Sequence, residues 1–266
     1  MHQNLEQLIN PVVEIAAQAG DEILKIYNSD EFDVETKDDK SPLTAADKAS
    51  HNTIVAALAE LTPDIPILSE ESAAISWEER SAWPEYWLID PLDGTKEFIK
   101  RNGEFTVNIA LIQGHRAVLG VVHVPVQQRC FYGYQGGGAY ELTAGGDTKP
   151  ISATPEAQSP LRVVGSRSHR GELLDAYLAK LGDHVMVPMG SSLKLCLVAT
   201  GDADVYPRLG PTSEWDTAAA QAVVECAGGK VIGLDGEPIM YNAKENILNP
   251  YFLVFGDSSR DWTSYL

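Results

Sequence analysis

The sequence predicts an α+β fold built in layers, and three observations carry the prediction. Two stretches near the N-terminus space apolar residues as helices do, a series of short β-like segments follows, and the second half alternates strand-like with helix-like segments. Residues 4–27 place Leu5, Leu8, Val12, Ile15, Ala16, Ala19 and Ile23 on one helical face, and residues 44–60 repeat the pattern with Ile54, Ala57 and Leu58. Tyr86, Trp87, Leu88 and Ile89 are β-formers, and Pro91 cannot donate to a ladder, so this run reads as a strand that stops there. "FTVNIALIQ" (105–113), "AVLGVVHVP" (117–125) and "CFYGYQ" (130–135) fit antiparallel strands closed by turn-rich pieces such as "GGGAYELTAGG". Residues 142–160, rich in Gly, Pro, Ser and Thr, read as the join between subdomains 1–150 and 151–266, which share one interface. Beyond it "LRVVG" (161–165) precedes a helix near 171–181, "VMVPM" a helix starting at "GSSLKLC", and "ADVYPR" a helix opening at "EWDTAAAQAVVECAGG". There are no repeats or low-complexity tracts.

At 266 residues, 44% of them hydrophobic, the chain can bury a full core. The N-terminus lacks a basic segment followed by an apolar one, and no run approaches the roughly 18 apolar residues of a membrane span, so the chain is expected to be soluble and unexported. Cys130, Cys196 and Cys226 are odd in number and far apart, which indicates neither a disulfide framework nor a thiolate metal site and suits reducing cytosol. None of the six His makes an HxH or HExxH pair, which argues against catalytic zinc. The formal charge of −18, from 38 acidic and 20 basic residues, opposes binding of a nucleic acid polymer or an anionic membrane. The expected location is the cytoplasm. Peripheral contact with the inner membrane stays open, although no basic amphipathic anchor is present. A small anionic substrate remains compatible with this charge if clustered carboxylates recruit cations.

"DPLDGT" (90–95) places Asp90 and Asp93 at a strand exit. A simple turn accounts for Asp, Pro and Gly together. An EF-hand loop starting at Asp90 would put Leu92 at position three and Arg101 at position twelve, so that reading fails. The aspartyl-phosphate pattern of two Asp separated by one residue fails as well, because Leu92 or Pro91 stands where the other Asp is needed. A metal site remains, and it requires carboxylates from elsewhere. Glu70 and Glu71 follow "IPILS", Asp216 opens the "WDTAAAQAVV" helix, and Asp47 lies in the first turn of the "LTAADKAS" helix. Taken singly, each has an ordinary structural explanation as a cap, a partner of the helix dipole or a solvated acid.

Taken together, "SEES" (69–72), "DPLDGT" (90–95) and "WDTAA" (215–219) resemble the signatures of the inositol monophosphatase superfamily, metal-dependent and lithium-sensitive phosphatases. The resemblance spans nearly the whole chain. It implies the layered αβαβα sandwich of the inositol monophosphatase and fructose-1,6-bisphosphatase type, with metal motifs in 1–150 and the rest of the site in 151–266. It further implies two to three Mg²⁺ per site. One is held by Glu70, Asp90 and the carbonyl of Leu92, another by Asp90, Asp93 and Asp216, and a third, weaker one sits near Glu70. Oxygen-only ligands suit Mg²⁺. Thr95 and Asp47 match the pair that orients and deprotonates the attacking water, while Glu70, Gly94, Thr95 and Asp216 border the phosphate.

Within the superfamily, "VGSRSH" (164–169), "GSSLKLC" (190–196), "YPRLGPTSEWD" (206–216) and Glu97 resemble the 3′(2′),5′-bisphosphate nucleotidase branch. A nucleoside bisphosphate carries a second phosphate remote from the metals, for which Ser191, Ser192, Lys194 and Arg208 would supply donors and cations. Ser166, Arg167, Ser168 and His169 would border ribose and base. The implied reaction converts 3′-phosphoadenosine 5′-phosphate to AMP and phosphate, beside sulfate assimilation, in a monomer or homodimer. An inositol or other sugar phosphatase with the same metals is the alternative, and an inactive metal-binding scaffold is a third reading.

Overall fold

The computed structural model describes residues 4–28, 34–36, 42–72, 74–165 and 171–266. Helix α1 (Leu5–Tyr27) starts at Asn4, whose side chain accepts from the Glu6 amide. Strands β1 (Val34–Thr36) and β2 (Pro42–Thr44) pair antiparallel and lead into α2 (Ala45–Leu61). Then come β3 (Ile67–Ser69), a 3₁₀ turn at Glu70–Ser72, α3 (Trp77–Arg80), β4 (Glu85–Asp93) and α4 (Thr95–Ile99). Next are β5 (Thr106–Gln113), β6 (Arg116–Val124), β7 (Arg129–Tyr134), β8 (Gly138–Leu142) and β9 (Thr148–Pro150). The second half runs β10 (Leu161–Gly165), α5 (Glu172–Leu181), β11 (His184–Pro188), α6 (Leu193–Ala199), β12 (Val205–Arg208), α7 (Glu214–Cys226), β13 (Lys230–Gly233) and β14 (Phe252–Phe255).

Two large sheets result. The seven-stranded one is ordered β3-β4-β5-β6-β7-β8-β9 and is parallel only between β3 and β4. The five-stranded one is ordered β11-β10-β12-β14-β13, with β10 parallel to both neighbours and β14 antiparallel to both of its own.

The two-residue side-chain period of a strand explains why the sheets stack with helices between them. Trp87, Ile89, Val107, Ile109 and Leu111 bury with Leu8, Val12, Ile54 and Leu58 of α1 and α2. Their neighbours Tyr86, Leu88, Ala110 and Ile112 bury on the opposite face, with Leu195 and Val198 of α6 and Ala219 and Val223 of α7. The five-stranded sheet repeats the alternation: Val164, Tyr206, Phe252 and Val254 join that same middle core, while Val163, Val205, Leu253 and Phe255 pack outward on Leu174, Tyr177 and Trp262. The order is therefore helix, sheet, helix, sheet, helix.

Four details differ from the sequence expectation. β4 does not stop at Pro91 but continues to Asp93. The turn-rich "GGGAYELTAGG" contains β8, and residues 142–160 contain β9. β1, β2, β3, α3, β13 and β14 were not anticipated. α6 begins at Leu193 rather than Gly190, because Ser191 takes a left-handed φ of 43° and Ser192 forms the cap. Among the described residues no helix is long and apolar enough to cross a membrane.

Small residues set the closest approach in the middle layer. A Cβ added at Gly120 on β6 would lie 2.1 Å from the Ala219 carbonyl oxygen of α7. Gly120→Ala is expected to cost about 1–3 kcal/mol, by forcing the helix off the sheet. The measurement is the urea midpoint at unchanged m; a midpoint equal to wild type would mean the helix is not seated there.

Candidate metal centre

A register break in β4 creates the site. Asp90 pairs with Asn108 of β5, and the next pair is Asp93 with Thr106. Three steps on β4 thus answer two on β5, which is a bulge of one residue. Residues three apart in an unbroken strand face opposite sides, and the extra residue cancels that. Leu92 accordingly buries its side chain in the core shared with α1 and α2. Asp90 and Asp93 both turn toward α6 and α7. The missing N–H of Pro91 falls where the ladder is already interrupted, and its carbonyl accepts from Ser50 Oγ of α2 at 2.7 Å.

Three other elements converge on this turn. Ser213 and Asp216 form a capping box at the start of α7, with Asp216 Oδ2 accepting from the Ser213 amide at 3.0 Å. That bond fixes the carboxylate, and oxygens of Asp90, Asp93 and Asp216 lie within 4.8 Å of one another. The parallel register pairs Ser69 of β3 with Ile89, so Glu70 emerges alongside Asp90. Asp47, in the first turn of α2, is fully buried. His51 Nδ1 of the same helix lies 2.9 Å from Ser69 Oγ, tying α2 to the exit of β3. Gly94, at φ 94° and ψ 42°, turns the chain from β4 into α4, where Thr95 is the first residue.

Electrostatics agree with the geometry. The Asp90 carboxyl is raised well above its ordinary range by burial, then by the charges of Glu70, Asp93, Asp216 and Asp47. Asp93 is pushed up to about 7 by burial and Asp216, against the opposing pull of Lys194 and the Ser192 amide. Asp216 is raised by burial, which outweighs the Ser213 amide and the Arg208 charge. Acids so close together, Asp90 buried and Asp93 and Asp216 half-buried, demand positive charge, and a set made only of oxygen donors suits a hard divalent cation.

A cationic wall faces the carboxylates. Lys194 of α6 has its ammonium 6.0 Å from the Tyr206 ring centroid, and its pKa is lowered, first by burial, with Asp93 pulling the other way. Arg208, the last residue of β12, donates Nη2 to the Pro211 carbonyl at 2.5 Å. Ser191 and Ser192 are buried, and Ser192 is already engaged: its amide donates to Asp93 Oδ2 at 2.5 Å and its hydroxyl to Asn108 Oδ1 at 2.9 Å. Ser166, Arg167, Ser168 and His169 lie outside the described residues.

Sequence reasoning missed the support under Asp93. Thr106 Oγ1 lies 2.8 Å from Ser192 Oγ, so Thr106, Asn108 and Ser192 form a buried polar link between β5 and α6. The signal was present as two polar residues at alternate positions of the otherwise apolar "FTVNIALIQ". Ser50 was missed too, and its position one turn after Asp47 could have revealed it.

Comparison with known proteins matches this picture. A family profile described as "Inositol monophosphatase family" matches residues 4–255. The chain is 48% identical over 248 residues to a "3'(2'),5'-bisphosphate nucleotidase CysQ" of Escherichia coli K12, covering 93% of this chain and 99% of that protein. A protein of the same name from Haemophilus influenzae is 39% identical, with 97% and 96% covered. Among solved structures, CysQ from Bacteroides thetaiotaomicron, described as a bacterial member of the inositol monophosphatase family, superposes with TM-score 0.84 at 40% identity, covering 96% and 98%. An inositol monophosphatase from Anabaena superposes with TM-score 0.74 at 25% identity, covering 98% and 95%. With its carboxylates gathered at the bulge of β4 and this likeness along nearly its whole length, the chain belongs to the inositol monophosphatase family.

Proposed function

We propose that this chain is a Mg²⁺-dependent 3′(2′),5′-bisphosphate nucleotidase that hydrolyses 3′-phosphoadenosine 5′-phosphate to AMP and phosphate. The observation that carries the reading is the convergence of Asp90, Asp93 and Asp216 within 4.8 Å, with Glu70 and Asp47 charges beside them and a lysine and an arginine opposite. The names of the relatives at 48% and 39% identity support it. Glu70, Asp90 and the Leu92 carbonyl would hold one cation, and Asp90, Asp93 and Asp216 a second, with a third near Glu70. When bound, such cations acidify water and neutralise charge on the leaving oxygen. Asp47, buried at the start of α2, accepts the proton of the attacking water, which the Thr95 hydroxyl orients. The Gly94 and Thr95 amides receive phosphate oxygens. Lys194 and Arg208 hold the second phosphate, as Ser191 does, while Ser192 serves chiefly to position Asp93. Water attacks phosphorus directly and no covalent Asp-phosphate forms. The enzyme acts in the cytoplasm on this small molecule, beside sulfate assimilation, and is inhibited by lithium.

Asp90→Asn or Asp216→Asn is expected to lower kcat roughly a thousandfold, the several kcal/mol that metal-ion stabilisation supplies, with the circular dichroism spectrum unchanged. A near-normal kcat would sink the metal assignment. Lys194→Ala should raise KM for the nucleoside bisphosphate about ten- to hundredfold, the worth of a charged hydrogen bond, and leave KM for inositol 1-phosphate nearly untouched. An equal effect on both would favour the sugar-phosphate reading, whose metals are the same.

A pH test follows from the raised carboxyls. Asp93, raised to about 7 from an ordinary 3.8, holds a proton in the folded state that the unfolded chain releases at lower pH. Metal-free stability therefore falls as pH rises between about 4 and 7. Mg²⁺ takes the proton's place, so the gain in Tm on adding Mg²⁺ should be larger at pH 8 than at pH 5; an equal gain at both would remove these carboxylates from the site.

A further inference from the structure

We infer that the segment 242–249 is a clamp that positions Asp216, acting through its own Asn249 and through its hold on Glu214 of α7. The inference rests on the reading of Asp216 as a metal ligand. The start of α7 is held from outside its own helix at Ser213, Glu214 and Thr217. Glu214 is fully buried two residues before Asp216. Its Oε2 accepts from the Asn242 amide at 2.8 Å, its Oε1 lies 3.5 Å from the Lys244 ammonium, and its own amide donates to the Ile247 carbonyl at 2.9 Å.

Asn249 grips the other side. Its Nδ2 donates to the Ser213 carbonyl at 2.8 Å and lies 3.0 Å from Thr217 Oγ1, and its amide donates to the Thr212 carbonyl at 2.8 Å. Ser213 is the residue whose amide binds Asp216 Oδ2, so the amide side chain of Asn249 acts one residue removed from the carboxylate. The segment is itself fastened: Lys244 Nζ donates to the carbonyls of Asn246 and Leu248 at 2.6 and 2.5 Å, and buried Arg80 of α3 exchanges bonds with Asn242 and donates to the Glu245 carbonyl.

A carboxylate whose neighbours repel it can swing away, at the expense of ligand geometry, unless its backbone is fixed. Bonds behind metal ligands are worth about ten- to hundredfold in affinity. Loss of the clamp therefore weakens cation binding without touching substrate groups.

The test is isothermal calorimetry of Mg²⁺ binding to the full chain and to Asn249→Ala, together with the Mg²⁺ dependence of Tm. Asn249→Ala should raise the Kd for Mg²⁺ about ten- to hundredfold, and its kcat should recover at saturating Mg²⁺ with KM for substrate unchanged. Glu214→Gln, which keeps the acceptor for Asn242 and gives up the ion pair, should shift Kd less. Lys244→Met, on a partly exposed side chain, is the variant to use if Asn249→Ala does not fold, and should shift Kd in the same direction. Thr62→Val is the control, because it removes the hydrogen bond to Trp87 Nε1 (2.9 Å) on the α1 and α2 side of β4, the face opposite α7, and should lower Tm with no change in Kd. Wild-type Mg²⁺ affinity in Asn249→Ala and Lys244→Met, with only Tm lowered, would reduce the segment to a structural role and overturn the clamp. Absence of Mg²⁺ binding by the wild type would overturn the metal reading, and the clamp with it.

Discussion

Repulsion among buried and half-buried carboxylates is the constraint to which the rest of the structure answers. Asp90 and Asp93 come from one strand, Glu70 from the turn after its parallel neighbour, and Asp47 and Asp216 from the first turns of two helices on opposite sides of the sheet. Each is a poor choice for a core position on its own. Four independent attachments hold them: the Ser50 bond to Pro91, the His51 and Ser69 contact, the Ser192 amide on Asp93, and the capping box at Asp216. Two of the four fasten neighbouring groups, and the other two each grip one carboxylate oxygen, Asp93 Oδ2 and Asp216 Oδ2.

The layered core is what makes such a cluster tolerable. The turn that carries Asp90 and Asp93 is anchored on β4, whose Trp87, Leu88 and Ile89 are almost wholly buried on two faces, and a strand with both faces covered cannot shift register cheaply. The bulge is thus a displacement of one residue within an otherwise rigid ladder. Its effect is chemical: it converts a spacing of three into a shared direction for two acids.

Much of this was legible in the sequence, and the failures have physical causes. α1 was readable because it buries a periodic face, and β5, β6 and β7 because they are runs of β-formers bounded by turn residues. β8 and β9 were not, because glycine and threonine carry little periodic signal, and "FLVF" of β14 is too short and too uniformly apolar to assign. Proline was read as a strand stop when it marks a bulge, the other place a strand accepts it. Glu70, Asp90, Asp93 and Asp216 stood out through linked motifs, although the convergence of the three aspartates is a property of the fold. The bonds from Asn242 and Asn249 to the start of α7 left no signal, since each joins a main-chain group to a side chain about thirty positions away and uses residue types common in loops.

The shared middle layer has a further consequence for how such a chain can change. α6 and α7 are buried by both sheets at once, so a cut between β9 and β10 would leave an apolar face bare on each fragment, and neither half is a module that recombination could exchange. Variation is steered instead to places where added volume meets nothing. The hairpin tips at Gly114, Gly136 and Gly146 have open space around them; these are the sites where insertions could accumulate while the interior stays fixed.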